Sequence, residues 1–254
     1  MVNGLNKFKE FFKNYTANYL LIGGAACDRQ IENAGLDFRA TKDLDIVLII
    51  EAYSAAFIEK FWEFINQGSY EIQEKSSGEK IYYRFKKPED ESFPFQLELF
   101  ARNPGIVPDS KSHLTPIAID EYLTSLSAIL LNDDYYNFTI KHSQVIEVLH
   151  LASAGALICL KVSAYLDLKT RRDKGEQIDG KDIKKHKNDI IRLAAILADE
   201  DIGDLPKQLE KDLKKIIADL TNDPPDIFAI GKNLGAPNLN LNELIEQLEK
   251  TFHL

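Results

Sequence analysis

The chain has 254 residues, 44% hydrophobic and 28% charged, and its 31 basic and 40 acidic residues give a formal net charge of -9. These values suit one large or two modest globular domains. They exclude a dedicated nucleic-acid coat, which is basic overall, so any nucleic-acid contact must come from a local patch.

No apolar run reaches the roughly 18 residues expected of a membrane span. The N-terminus lacks the apolar core of a signal peptide. The two cysteines, Cys27 and Cys159, lie in apolar or helical stretches. No disulfide framework is expected, and a reducing, cytoplasmic setting is.

In chain order, residues 5–15 predict a helix with Leu5, Phe8, Phe11 and Phe12 on one face. The stretch YLLIGGAACDRQIENAGLDFRATKDLDIVLII, residues 19–50, follows. It reads as an apolar strand (Tyr19 to Ile22), a glycine pair (Gly23, Gly24), a helix fading near Gly35, a polar loop with Arg39, Thr41 and Lys42, and a second strand opened by Asp43 and Asp45. Residues two apart on a strand share a face, about 7 Å apart along the chain, so Asp43 and Asp45 project to one side. Two hard oxygen ligands at this spacing suit Mg²⁺, which commonly takes one or two carboxylates plus substrate phosphates. Gly23 and Gly24 lack a Cβ, which lets backbone N–H groups approach a phosphate.

Residues 53–66 predict an amphipathic helix ended by Gly68, and strands are expected at 80–86 and 94–100. In the second strand Glu98 breaks an apolar pattern, and such local mismatches are often functional. Residues 101–121 read as a Pro-rich loop, and 124–131 with 136–140 as a hairpin across Asn132-Asp133-Asp134. From Ser143 onward the texture is helical. An apolar helix over 151–169 carries Lys161, a basic loop runs through Arg171, Arg172 and Lys174, and helices follow at 181–199, 205–220 and from Asn240, where Glu243 completes a capping box. The expected architecture is α+β: a mixed sheet with helices over residues 1–142, then an all-helical domain over 143–254.

Gly23-Gly24 with Asp43-Leu44-Asp45 resembles the nucleotidyltransferase superfamily of the polymerase-β-like fold. Its pattern is a glycine turn, an Asp-x-Asp on a strand, and a third acid on a neighbouring strand, here Glu98. ALICLKVSAYLDLKTR followed by KKHKNDIIRL is similar to the lysine helix and the late basic-aspartate helix of the AbiEii/AbiGii toxins. The resemblance covers about residues 15–199 in scattered motifs. It implies that Asp43, Asp45 and Glu98 are catalytic and hold Mg²⁺ or Mn²⁺. It implies that Gly23, Gly24, Lys161 and Asp189 bind the NTP, and that Lys161 and the acids meet at one cleft.

The implied reaction transfers a nucleoside monophosphate to an acceptor hydroxyl, of tRNA or another RNA, in a toxin–antitoxin or abortive-infection setting with a cognate antitoxin. A protein hydroxyl as acceptor, or a nucleotide-binding module without catalysis, are the alternatives. Two departures stand out: Glu98 replaces the usual Asp, and His186 stands where many members carry an acid. By their local sequence alone, Lys161 can snorkel from an apolar helix, Asp189 can pair with Lys185 one turn earlier, and His186 reads as a surface residue.

Overall fold

A computed structural model of the chain describes residues 3–39, 41, 43–49, 54–77, 80–101, 115–116, 132–197 and 200–254. The expected loop over 101–121 and the first strand of the expected hairpin, 124–131, lie almost wholly outside them. By internal contacts the chain divides into two units. One comprises Met1–Asp28, Ala40–Asp120 and Ser143–Ala152; the other comprises Arg29–Arg39, Glu121–His142 and Ser153–Leu254.

Among the described residues, the first unit is built on an eight-stranded mixed sheet. Its strands are β1 (Tyr19–Ile22), β2 (Asp43–Leu48), β3 (Glu71–Ser77), β4 (Lys80–Lys86), β5 (Gln96–Ala101), β6 (Thr115–Pro116), β7 (Ser143–Ile146) and β8 (Leu149–Ala152). Their spatial order is β6-β3-β4-β5-β2-β1-β8-β7. The pairs β1–β2, β3–β4, β4–β5 and β7–β8 are antiparallel, whereas β2–β5, β1–β8 and β3–β6 are parallel. Alternation along the strands gives the two faces different chemistry. Tyr19, Leu21, Leu44, Ile46, Phe85, Leu97 and Leu99 fall on one face and are all buried.

Helices α1 (Leu5–Phe12) and α3 (Ala55–Gly68) supply the aromatic partners of that face. Phe8, Phe12 and Phe57 pack around Tyr19, and Phe61 meets Phe85 at a centroid distance of 5.7 Å. Edge-on and stacked ring pairs of this kind contribute about 0.5–1.5 kcal/mol a pair beyond their buried area. Ser54 caps α3 by accepting from the Phe57 N–H. Gly68 is the last helical residue, and the left-handed C-cap is Ser69 at φ 51°. Helix α2 (Gly23–Asn33) starts directly at the end of β1.

Two sequence expectations are corrected here. Residues 136–140 are not a strand: helix α4 (Asp133–Lys141) occupies them. The Asn132-Asp133-Asp134 triplet is a cap rather than a hairpin turn. Asn132 Oδ1 accepts from the Asp134 and Tyr135 N–H groups, and the two aspartates sit at the positive end of the helix. Residues 143–152 are likewise not the start of the helical region but the hairpin β7–β8, so the change from sheet to helix comes at Ser153.

In the second unit the elements from Ser153 on are α5 (Ala154–Asp173), α6 (Gly180–Ala194), α7 (Lys207–Asn222), α8 (Ile227–Leu234) and α9 (Leu241–Phe252). Residues 29–39 and α4 belong to the same unit, so it is not one continuous C-terminal segment. Helix α5 is its core, buried almost without break from Ala154 to Ala164. Ser153 caps α5 through the Ala156 N–H, and Asn240 caps α9 through the Asn242 and Glu243 N–H groups. No helix among the described residues is long and apolar enough to cross a membrane.

Candidate functional site

On the face of the sheet opposite the aromatic cluster, polar residues gather at one end. The register sets Ile22 beside Asp45, Asp45 beside Glu98, and Glu98 beside Arg84, while Asp43 lies beside Gln96. Asp43, Asp45, Gln96, Glu98 and Arg84 therefore share a face across β2, β5 and β4. Neighbouring strands lie about 4.8 Å apart, so alignment alone makes the Asp45 and Glu98 side chains neighbours. Asp43 is half-buried, and Asp45 and Glu98 are only 4% and 2% exposed.

The glycine turn is fitted to this strand. Gly23 has φ +66°, in the left-handed region, and a Cβ built on it would stand 1.6 Å from Asp45 Oδ2. A Cβ on Gly24 would stand 2.5 Å from Thr41 Oγ1. The space opened by the missing side chains is thus taken by Asp45 and Thr41. The Asp45 carboxylate lies against the N-terminus of α2, where the helix dipole and the first N–H groups favour negative charge.

Glu98 is committed to a neighbour that the sequence reading did not single out. Its Oε1 accepts from Arg84 Nε at 3.0 Å and from Gln96 Nε2 at 2.8 Å, and Arg84 Nη2 lies 3.0 Å from the same oxygen. Both partners of the ion pair are buried. A buried carboxylate needs such compensation, because desolvation costs several kcal/mol per ion. The available signal was a charged residue at the matching alternate position of the preceding strand. Among the described residues no three His, Cys, Asp or Glu side chains are grouped so as to hold a metal ion. Asp43 and Asp45 alone fit the one-or-two-carboxylate habit of Mg²⁺, with phosphates supplying other oxygens.

Lys161 and Asp189 come together in the second unit. Lys161 is 4% exposed and Asp189 fully buried, with Lys161 Nζ 3.3 Å from Asp189 Oδ2. Arg39 grips the same carboxylate with two bonds, Nε to Oδ1 at 3.1 Å and Nη2 to Oδ2 at 2.8 Å. Arg192 Nη1 donates to Oδ1 at 3.0 Å. Asp189 thus gathers cations from residues 29–39, α5 and α6, and it does not take Lys185 as its partner. Burial alone would raise its pKa, but Lys161, Arg39 and Arg192 together hold it well below the usual carboxylate range.

His186, one turn before, is 1% exposed and not a surface residue. Burial first, and the charge of Lys161 second, push its pKa well below that of a free imidazole. Arg39 and Arg192 are further residues of this cluster that motif reading missed: Arg39 lies in a polar loop where a charge stands out from nothing, whereas Arg192 interrupts the apolar run from Ile190 to Leu197, a signal that was available.

Neither a protein-family model nor a curated protein sequence matches the chain. Among solved structures, an antigenic nucleotidyltransferase-like protein from Paracoccidioides brasiliensis is similar at 16% identity and a TM-score of 0.38, over 90% of this chain and 93% of that one. At this identity and TM-score the likeness does not establish a shared fold.

Proposed function

We propose that the chain is a metal-dependent nucleotidyltransferase that moves a nucleoside monophosphate from an NTP to an acceptor hydroxyl, with pyrophosphate as the leaving group. The observation that carries this reading is the alignment of Asp45 with Glu98 on neighbouring strands, with Asp45 seated on the Gly23 turn. Together with Asp43 it supports the Gly-Gly, Asp-x-Asp and third-acid pattern that the resemblance implies. Asp43 and Asp45 would hold Mg²⁺ or Mn²⁺. When bound, the ion would offset the charge of the triphosphate and polarise the phosphorus under attack.

The chain's own residues have distinct parts. Asp43, less buried than Asp45, faces the incoming substrate. Gly23 and Gly24 present the first N–H groups of α2 to the phosphates. Glu98, which accepts from Arg84 and Gln96 through Oε1, is the third acid, beside Asp45 on the neighbouring strand. Within the second unit, Asp189 holds Lys161 in place.

The acceptor favoured here is RNA, tRNA in particular, with a cognate antitoxin as protein partner, as the AbiEii/AbiGii resemblance implies. A second reading, a nucleotide-binding module without catalysis, is favoured by one observation: Arg84 neutralises Glu98, where a three-acid metal site needs a free carboxylate. Incubating the protein with each α-labelled NTP, Mg²⁺ and either total cell RNA or total cell protein separates these readings. The expected result is label in the RNA fraction, released by nuclease. Label in protein moves the acceptor to a protein hydroxyl, and NTP binding without label in either fraction supports the module.

A further inference from the structure

Asp189 is the most buried of the charged residues singled out from the sequence, and both its oxygens are occupied. Oδ1 accepts from Arg39 and Arg192, and Oδ2 accepts from Arg39 and lies against Lys161. A carboxylate with no exposed surface and every oxygen engaged cannot be the group that meets a ligand. What it does is fix cations. Arg39 Nη2 and Lys161 Nζ converge on one oxygen, at 2.8 and 3.3 Å, so their charges are held side by side.

The two cations differ in access. The Lys161 side chain is 5% exposed, whereas that of Arg39 is 27% exposed. Arg39 is therefore the member of the pair that solvent, or a ligand arriving from solvent, meets first. Its orientation is fixed twice, by the two-pronged bond to Asp189 and by the Phe38 ring, whose centroid lies 5.0 Å from the guanidinium. The backbone of this segment is also tied down, the Asp37 N–H donating to the Leu234 carbonyl. A guanidinium held so rigidly loses little freedom on binding, and with one edge spent on Asp189 it would meet a phosphate oxygen through its outer edge as a single charge-assisted contact.

We infer that Arg39 is a further phosphate-contacting residue, that it and Lys161 form one polyphosphate-binding pair, and that Asp189 is the positioning residue that locks the pair. The identity of the anion as the triphosphate of an NTP rests on the nucleotidyltransferase reading. The pairing of Arg39 with Lys161 does not.

The test is calorimetric titration of the whole protein with inorganic tripolyphosphate, alongside NTP, for wild type, Arg39→Gln and Arg39→Lys, with melting temperatures measured on the same samples. Arg39→Gln is expected to weaken tripolyphosphate binding by about tenfold or more, the loss of one charge-assisted contact. Arg39→Lys is expected to recover part of that loss. In transfer assays the same variants raise KM for NTP more than they lower kcat, a split that a merely structural residue would not produce. Unchanged tripolyphosphate affinity in Arg39→Gln overturns the inference. If that variant does not fold, unchanged affinity in Arg39→Lys does so. Tripolyphosphate binding that depends on Arg39, in a protein that transfers no nucleotide, would leave the inference standing and remove the transferase reading.

Discussion

His186 is a buried imidazole held neutral, and that has a consequence for stability. Its pKa in the folded protein is pushed well below its unfolded value of 6.5, by burial first and by Lys161 second. The unfolded chain therefore binds the proton more readily, and the stability that His186 contributes above pH 6.5 is lost as pH falls through that value toward the folded one. His142, also depressed by burial, adds to the same slope. Wild-type melting temperature is thus expected to fall between about pH 7.5 and about pH 5.5, and His186→Gln should reduce that fall even if it lowers stability at both values. An identical pH slope in the variant would contradict a buried neutral imidazole. Asp189 acts at lower pH in the same direction. Its depressed pKa stabilises the fold above the usual carboxylate range and ceases to do so as pH drops below it.

At the scale of elements, the junction of β1, α2 and β2 is the tightest fit in the first unit. Gly23 combines φ +66° with an approach that leaves no room for a Cβ beside Asp45. Gly23→Ala must pay for both an unfavourable backbone and a displaced carboxylate. A loss of about 1–3 kcal/mol is expected from urea unfolding curves, with nucleotide binding reduced alongside. A fully stable variant would mean that the turn can relax. This junction was legible in the sequence because a glycine pair after an apolar run, and acids two apart on a strand, are local signals. The hairpin β7–β8 and helix α4 were not. Leu151 and Ala152 are apolar in either a strand or a helix, and the Asn-Asp-Asp triplet serves equally as a turn or an N-cap. The partners of the site residues were illegible for a different reason. Arg84 reaches Glu98 through strand register, and Arg39 reaches Asp189 across 150 residues of sequence. Only the first leaves a trace in the sequence, a charged residue at an alternate position of the preceding strand; no local pattern encodes the second.

For the whole molecule, the overall charge of -9 contrasts with cations that are gathered locally. In the second unit Lys161, Arg39 and Arg192 surround one carboxylate. In the first, acids gather at one end of the sheet with Arg84 as their counter-charge. The account depends most on Asp45, which is buried against Gly23 and aligned with Glu98. Because it is buried, truncation to Ala would confound chemistry with folding, and the isosteric Asp45→Asn is the better probe. The direct measurement is transfer of label from α-labelled NTP in the presence of Mg²⁺ by wild type and by Asp45→Asn, with circular dichroism on both. The expected result is transfer by wild type and a loss of at least about a hundredfold in a variant of unchanged secondary structure. Transfer at the wild-type rate by Asp45→Asn would contradict the account.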